Sequence, residues 1–311
     1  MQQVSGGDAL TVTDISTFLK AKDVFIIEVR DSVTSTNTVL RSLAAMGAPE
    51  GYVLAAAGQT AGKGRHGRSF HSPADSGAYF SLLLRPGPKT CDASLITSAA
   101  AVAAAEAIEE VFGLYVGIKW VNDLVLETKK VCGILTEAEF NVESGMIDSA
   151  VLGIGINITK PENGFPEELR DVATALTGMG QGDLGQAVGC EQAAGGRQLN
   201  GFCDGVCDSG QVDGGGAPYY SAIADISRCR IIAATLDSFW GYYKNLSARE
   251  FLDEYRARSI LLDRDIYVFS RDAKQPARAL AIDDDCRLVV RYENGEVAAL
   301  SSGEVSVRLG G

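Results

Sequence analysis

The chain has 311 residues, 46% of them hydrophobic, so it can bury a sizeable core and has room for more than one domain. Its formal net charge of -12 argues against general affinity for nucleic acid or for an anionic membrane surface. The opening MQQVSGGDALTVTD has no secretory leader pattern, Glu106, Glu109 and Glu110 interrupt the most apolar run before it reaches membrane-spanning length, and seven cysteines without a tight framework point to a reducing cytoplasm.

In chain order, VFIIEVR (Val24 to Arg30) predicts a strand, and DSVTSTNTVLRSLAAMG predicts a turn into a helix capped by Ser35 or Thr36 and ended by Gly47. GYVLAAAGQ predicts a strand that runs directly into GQTAGKGRHGRSFHSP, Gly58 to Pro73. GAYFSLLLRP predicts a further strand, and an alanine-rich helix follows from Asp92 or Ser94 to Gly113. Tyr115 to Phe140 reads as strand, loop and strand, with a hairpin near Glu127–Lys129 and a third strand around Gly133–Phe140. Ser149 to Thr159 is one more apolar strand.

Between about 178 and 216 glycine supplies 13 of the chain's 35, aromatics nearly vanish and no period holds, which predicts a mobile insertion. Its Cys190, Cys203 and Cys207 are too loosely spaced for a zinc site and lack a histidine partner. Helical periodicity returns at Ile231. The last fifty or so residues are short alternating strands, with Asn294–Gly295 as a hairpin turn, and predict a small β-barrel. Strands with segregated helices give an α+β class rather than a regular βαβ alternation.

The stretch from Gly58 to Pro73 poses the chemical question, because an acidic chain sets Lys63, Arg65, His66 and Arg68 among Gly62, Gly64 and Gly67. Residues 62–67 formally match the dinucleotide fingerprint, but that motif needs a helix to start there, and SFHSPADSG is a poor helix. A Walker A loop is excluded by the spacing and by the missing hydroxyl. What remains is a loop whose side-chain cations meet an anion. Such a loop suits a carboxylate attacking a nucleotide α-phosphate, where cations offset the mutual repulsion and the charge that builds in the transition state. The competing reading is an exposed turn with surface salt bridges. His66 and His71 have no metal constellation around them and read as loop residues, so no protein metal ligand is assigned.

KWVNDLVLETKKVCGIL, together with this loop and with the STN of Ser35–Asn37, resembles the biotin–protein ligase family. The family pattern runs STN, GRGRxGRxW.SP, KWPND…KxxGIL.E and G.GIN, in this order. The likeness covers about residues 25–177 and resumes from about 231 to the end. The resemblance implies an α+β fold with a mixed-sheet catalytic core of the biotin/lipoate ligase type over residues 1–262, including the insertion, and a C-terminal SH3-like β-barrel over 263–311. It implies a two-step reaction. Biotin's carboxylate attacks the α-phosphate of ATP to give biotinyl-5′-AMP and pyrophosphate, with Mg2+ offsetting the triphosphate charge. A lysine of a biotin carboxyl carrier protein or domain then takes the acyl group.

By the same resemblance Ser35, Thr36 and Gln59 match residues that hydrogen-bond biotin's polar ring, with Asn37 in the same motif. Gly62 and Gly64 let the backbone approach the ligand, beside Lys63. Arg65 matches the arginine that holds the carboxylate and the phosphate, and Arg68 reaches the triphosphate. Lys130 matches the lysine that bridges the carboxylate and the α-phosphate, and is the principal catalytic residue together with Arg65 and Asp123; Lys129 takes its place if the register shifts by one. Gly133 contacts biotin through its backbone. Lys119, Asn122 and Asp123 belong to the KWxND turn. Asn122 either contacts ligand or shapes the turn, and Asp123 either steers the acceptor amine or pairs with Lys119. Asn157 matches an adenylate-pocket residue, Phe70 stacks on adenine or simply packs, and Trp120 reads as core.

Three departures stand out. Lys63 replaces an arginine and loses the planar fork that grips oxyanions in two places. Val121 replaces the proline of KWPND, and Phe70 replaces a tryptophan. Only 34 residues precede Ser35, too few for a helix-turn-helix after the first strand, so a monofunctional ligase is expected. A homodimer is compatible with the family, and no feature of the sequence decides it. The rival readings are a ligase for lipoate or another acyl carboxylate, and a non-enzymatic biotinyl-adenylate sensor. Because loop-closure cost grows slowly with length, deleting 178–216 is expected to leave pyrophosphate release from ATP and biotin intact; loss of folding or of that activity would refute this.

Overall fold

The computed structural model describes residues 10–86, 92–141, 143, 145–177, 217–269, 274–301 and 304–307. The glycine-rich insertion therefore lies outside the described residues. A short helix α1 (Val12–Phe18) precedes strand β1 (Ile26–Val33), helix α2 (Thr36–Ala45), and strands β2 (Tyr52–Gln59) and β3 (Gly77–Leu84). Helix α3 (Ala93–Phe112) leads to β4 (Gly117–Lys119), β5 (Asp123–Leu126), β6 (Lys129–Phe140) and β7 (Ile147–Asn157), followed by helices α4 (Ala217–Tyr243) and α5 (Leu252–Ala257).

The first seven strands form one sheet in the order β1-β2-β3-β7-β6-β5-β4. Only β1 and β2 run parallel and the other neighbours are antiparallel, so the sheet is mixed as expected. Side chains alternate across it with the two-residue period of a strand. Val53, Ala55, Phe80, Leu82 and Leu84 enter the large core under α3 and α4, while Leu54 and Leu83 turn to the other face and meet Leu40 of α2 and Val151. The alanine run Ala99–Ala105 is fully buried, and its small side chains let α3 sit close to α4 and to the sheet at once. Asp92 caps α3 by accepting from the Ser94 amide, and Gly113 ends it at φ 66°.

Two elements depart from the sequence reading. Helix α1 was not anticipated, although Thr11 and Asp14 carry the N-terminal signal: the Thr11 hydroxyl accepts from the Asp14 amide. The backbone of α4 begins at Ala217, well before Ile231. Arg228 is buried there and donates to Asp75 at 2.8 Å, so a charge interrupts the apolar pattern on a buried face.

Strands β8 (Asp265–Phe269), β9 (Lys274–Ile282), β10 (Leu288–Tyr292), β11 (Val297–Leu300) and β12 (Glu304–Val307) form a second, antiparallel sheet in the order β11-β10-β9-β8-β12. Gly295 takes φ 87° in the β10–β11 hairpin. The strands and their order suit the expected SH3-like unit, but among the described residues β11 and β12 remain unpaired edges, so the sheet is open and not a closed barrel. Buried side chains on one face of the first sheet and those of the second sheet join one continuous apolar cluster, from which Leu54, Leu83 and Val151 stand apart.

The second sheet is tied to the KWVND turn. Trp120 is 4% exposed, and its indole Nε1 donates to the Cys286 carbonyl at 2.9 Å. The Tyr255 hydroxyl donates to the Val121 carbonyl at 3.0 Å, and the Trp120–Val121 peptide is cis. Trp120 is thus a core residue that joins the two sheets. Trp120→Phe leaves a buried carbonyl without its donor and is expected to lower the unfolding free energy by about 1–3 kcal/mol in urea denaturation; an unchanged midpoint would contradict this.

Candidate active site

The predicted basic loop is an ordered irregular hairpin. Phe70 donates its amide to the Gly62 carbonyl at 2.8 Å, Gly64 to Arg68 at 2.7 Å and Gln59 to Ser72 at 2.9 Å. A single 3₁₀ turn, Arg65–Gly67, forms its tip, with His66 at φ 54° and Gly67 at φ 75°. No α-helix starts here, in keeping with the rejection of a dinucleotide fingerprint. Gly62 is required by the hairpin itself, since a Cβ there would lie 2.4 Å from the Phe70 carbonyl oxygen.

At the root of the hairpin, Gln59 supplies the cap that neither Ser35 nor Thr36 provides for itself. Its Oε1 accepts from the Thr36 amide at 2.8 Å and the Thr36 hydroxyl at 3.2 Å, while its Nε2 donates to Ser72 Oγ at 2.8 Å. Ser35 occupies the N-cap position without a side-chain capping bond and lines the cleft beside it. Asn37 is buried: its Nδ2 donates to Glu137 at 3.0 Å and to the Leu135 carbonyl at 3.3 Å, and Ser81 donates to its Oδ1 at 2.6 Å.

The floor of the cleft is bare backbone. Gly133 of β6 pairs directly with Gly155 of β7, and Gly153 lies two residues along. A Cβ at Gly155 would stand 2.5 Å from the Phe70 ring, one at Gly133 2.9 Å from the Lys130 side chain, and one at Gly153 2.0 Å from Asn37 Oδ1. Gly153 and Gly155 were not singled out as site residues, although alternate glycines in a strand interior signal close approach. With the Phe70 ring lying over this floor, the cavity measures about 50 Å³.

Lys130 reaches the cleft through a β-bulge. The pairing of β5 with β6 shifts between Leu124 and Val125, so Val131 is the extra residue and both Val131 and Cys132 turn inward. Lys130 Nζ then lies 2.6 Å from Asp123 Oδ1 and 5.6 Å from the Phe70 ring centre. Lys129 points away and donates to the Arg170 carbonyl at 2.8 Å. Asp123 therefore pairs with Lys130; Lys119 is its cross-strand neighbour in the ladder. Cys132, two residues after Lys130, is no nucleophile: burial pushes its thiol up, against the smaller pull of Lys130.

Arg65 Nη1 donates to Asn122 Oδ1 at 3.3 Å, and Asn122 Nδ2 donates to the Ile134 carbonyl at 2.8 Å. Asn122 thus shapes the turn and holds the arginine at once. Partial burial lowers the Arg65 guanidinium below its ordinary value, the nearby Asp123 opposes this, and the group stays a cation as arginine does in proteins. Lys130 and Phe70 also line a second cleft, with Arg68, His71, Lys119, Asp123 and Asn157. Asn157 donates to the Thr174 carbonyl at 3.1 Å and so secures the segment that covers Lys130.

Residues 29–157 match the biotin/lipoate A/B protein ligase family, and residues 272–308 match the biotin protein ligase C terminal domain. The chain belongs to this family. It is 42% identical over 147 residues to the bifunctional ligase/repressor BirA of Bacillus subtilis, covering 47% of this chain and 45% of that protein. It is 34% identical over 155 residues to the biotin–[acetyl-CoA-carboxylase] ligase of Mycobacterium tuberculosis, covering 47% of this chain and 53% of that one. The matches thus span about half the length of these curated relatives. Among solved structures, the biotin protein ligase from Aquifex aeolicus in complex with biotin and ATP shares the fold, with a TM-score of 0.64, 23% identity, and coverage of 91% of this chain and 98% of that one. No helix among the described residues is long and apolar enough to cross a membrane.

The glycine floor yields a prediction. Gly155→Ala forces a methyl into the Phe70 ring and is expected to cost about 1–3 kcal/mol of stability, as overpacking does. Adding Phe70→Ala should recover most of that cost in urea denaturation; no recovery would show that the ring is not what the methyl meets.

Proposed function

We propose that this protein is an ATP-dependent ligase that activates biotin as biotinyl-5′-AMP and transfers it to a lysine of a biotin carboxyl carrier domain. The observation that carries the reading is the position of Lys130, on the wall shared by two clefts and paired with Asp123. One cleft offers a flat glycine floor with Ser35 and Thr36 at its edge, a shape and polarity suited to a small bicyclic ring. The other offers Arg68 and Lys119, suited to phosphates. A reaction joining a carboxylate to an α-phosphate needs its cation at such a seam.

In the first step a carboxylate oxygen of biotin bonds to the α-phosphorus while the bond to the β-phosphate breaks and pyrophosphate leaves. Lys130 and Arg65 offset the repulsion between the reactants, and Asp123 aims the Lys130 ammonium. In the second step the acceptor amine attacks the acyl carbon, AMP departs, and the amine loses a proton as the amide forms. Asp123 is the residue proposed to steer that amine. Among the described residues no three His, Cys, Asp or Glu side chains gather to hold a metal. Magnesium is proposed to arrive with the triphosphate and to offset its charge.

Incubation with ATP, magnesium and either biotin or lipoate, followed by mass measurement of the adenylate, tests the substrate. Transfer of labelled biotin to a purified carrier domain separates a ligase from a sensor that only retains the adenylate. Lys130→Ala is expected to slow adenylate formation by at least about a hundredfold, the scale of lost transition-state electrostatics, whereas Lys129→Ala should change it little. Near-normal turnover of Lys130→Ala would remove that residue from the chemistry.

A further inference from the structure

The acid that closes the KxxGIL.E motif, Glu137, has no part in the chemistry above, yet it connects three elements of the site. Its Oε2 accepts from Asn37 Nδ2 at 3.0 Å. Its Oε1 accepts from Arg41 Nη1 at 3.1 Å and lies 3.5 Å from Lys63 Nζ. Asn37 and Arg41 stand on α2, Glu137 on the sheet, and Lys63 on the basic hairpin. Arg41 also pairs with Glu139, so it draws the Glu137 carboxylate toward α2 from a fixed position.

The hairpin meets the sheet at three places. Arg65 bonds Asn122 at the tip, the Phe70 ring lies on Gly133 and Gly155, and Lys63 reaches Glu137 on the far side of the floor. The first two involve groups that must face the ligand during the proposed reaction. Lys63 differs, because an ammonium has three donors and can hold Glu137 and an incoming anion together. The pair is partly exposed, with side chains 39% and 22% accessible, so its effect belongs to the modest class of surface ion pairs.

We propose that Glu137 is a positioning residue: through Lys63 it ties the basic hairpin to the sheet and slows escape of the anionic acyl-adenylate. The retention half of this proposal rests on the ligase reading, and the tie itself does not. An exposed pair biases an equilibrium by about two- to five-fold, which sets the size of the effect. Glu137→Gln keeps an acceptor for Asn37 and removes the charge that attracts Lys63. Lys63→Met removes the other partner and leaves the strand untouched, which guards against a folding artefact.

Two measurements decide it. In the unliganded protein, trypsin cleavage after Arg65 and Arg68 reports the population of the detached hairpin when closing outpaces cleavage. Cleavage is expected to rise two- to five-fold in Glu137→Gln and in Lys63→Met, with no further rise in the double variant. Dissociation of biotinyl-5′-AMP should accelerate by a similar factor with the same non-additivity, and Lys63→Arg, with its planar fork, should slow both rates below those of the unaltered protein. Unchanged cleavage in Glu137→Gln, or effects that multiply in the double variant, would overturn the tie. Raised cleavage with unchanged dissociation would overturn its role in retention. If the unaltered protein fails to bind biotinyl-5′-AMP, the ligase reading and the retention half fall, while the cleavage cycle still decides the tie.

Discussion

The position of one ammonium group depends on a backbone held from both sides. Lys130 donates its amide to the Val172 carbonyl at 2.9 Å and accepts from the Thr174 amide at the same distance, so the segment after β7 pins it like an added strand. Asn157 fastens that segment through Thr174, and the bulge at Val131 turns the side chain toward Asp123. Long lysine side chains lose much rotational freedom when fixed. Here the ion pair and the pinned main chain offset that loss and hold the ammonium at the wall shared by the two clefts.

Around this cation, the site is built by leaving side chains out. Gly133 and Gly155 face each other across adjacent strands, and the exposed backbone between them accepts a flat ring. In the present structure the Phe70 ring takes that place. The hairpin that carries Phe70 also carries Lys63, Arg65 and Arg68, so the ring and the cations share one short stretch of backbone. Glycine thus acts in two ways: Gly62 closes the hairpin on itself, and Gly133 with Gly155 gives it a surface to lie on.

The second sheet contributes to the same site indirectly. Trp120 bonds Cys286, and Tyr255 bonds the Val121 carbonyl, so the turn that presents Asn122 and Asp123 is clamped between the two sheets. Val121 lacks the ring constraint of a proline, and these two bonds hold its neighbourhood by tertiary contact instead. Asn122 extends the clamp to Arg65, which links the far sheet to the anion hairpin through three side chains. The tryptophan of the motif, read from the sequence as core, is also the joint between the sheets.

The motifs by themselves determined the family, the mixed sheet and most of its strands, because apolar alternation, capping residues and Gly-rich turns are local signals. They also pointed to the basic loop as the place to look, and the fold sets Lys63 and Arg65 along one cleft and Arg68 along its neighbour. Tertiary structure alone decided between Lys129 and Lys130: a bulge depends on the partner strand, and one extra residue reverses which face a side chain occupies. It also decided that Asp123 pairs with Lys130, that Asn122 serves both turn and arginine, that Arg228 is buried within a helix begun earlier than its pattern suggests, and that Glu137 stands beside Lys63. The first two rest on the register of one hairpin and the others on the meeting of residues farther apart in the chain, neither of which spacing along a sequence encodes.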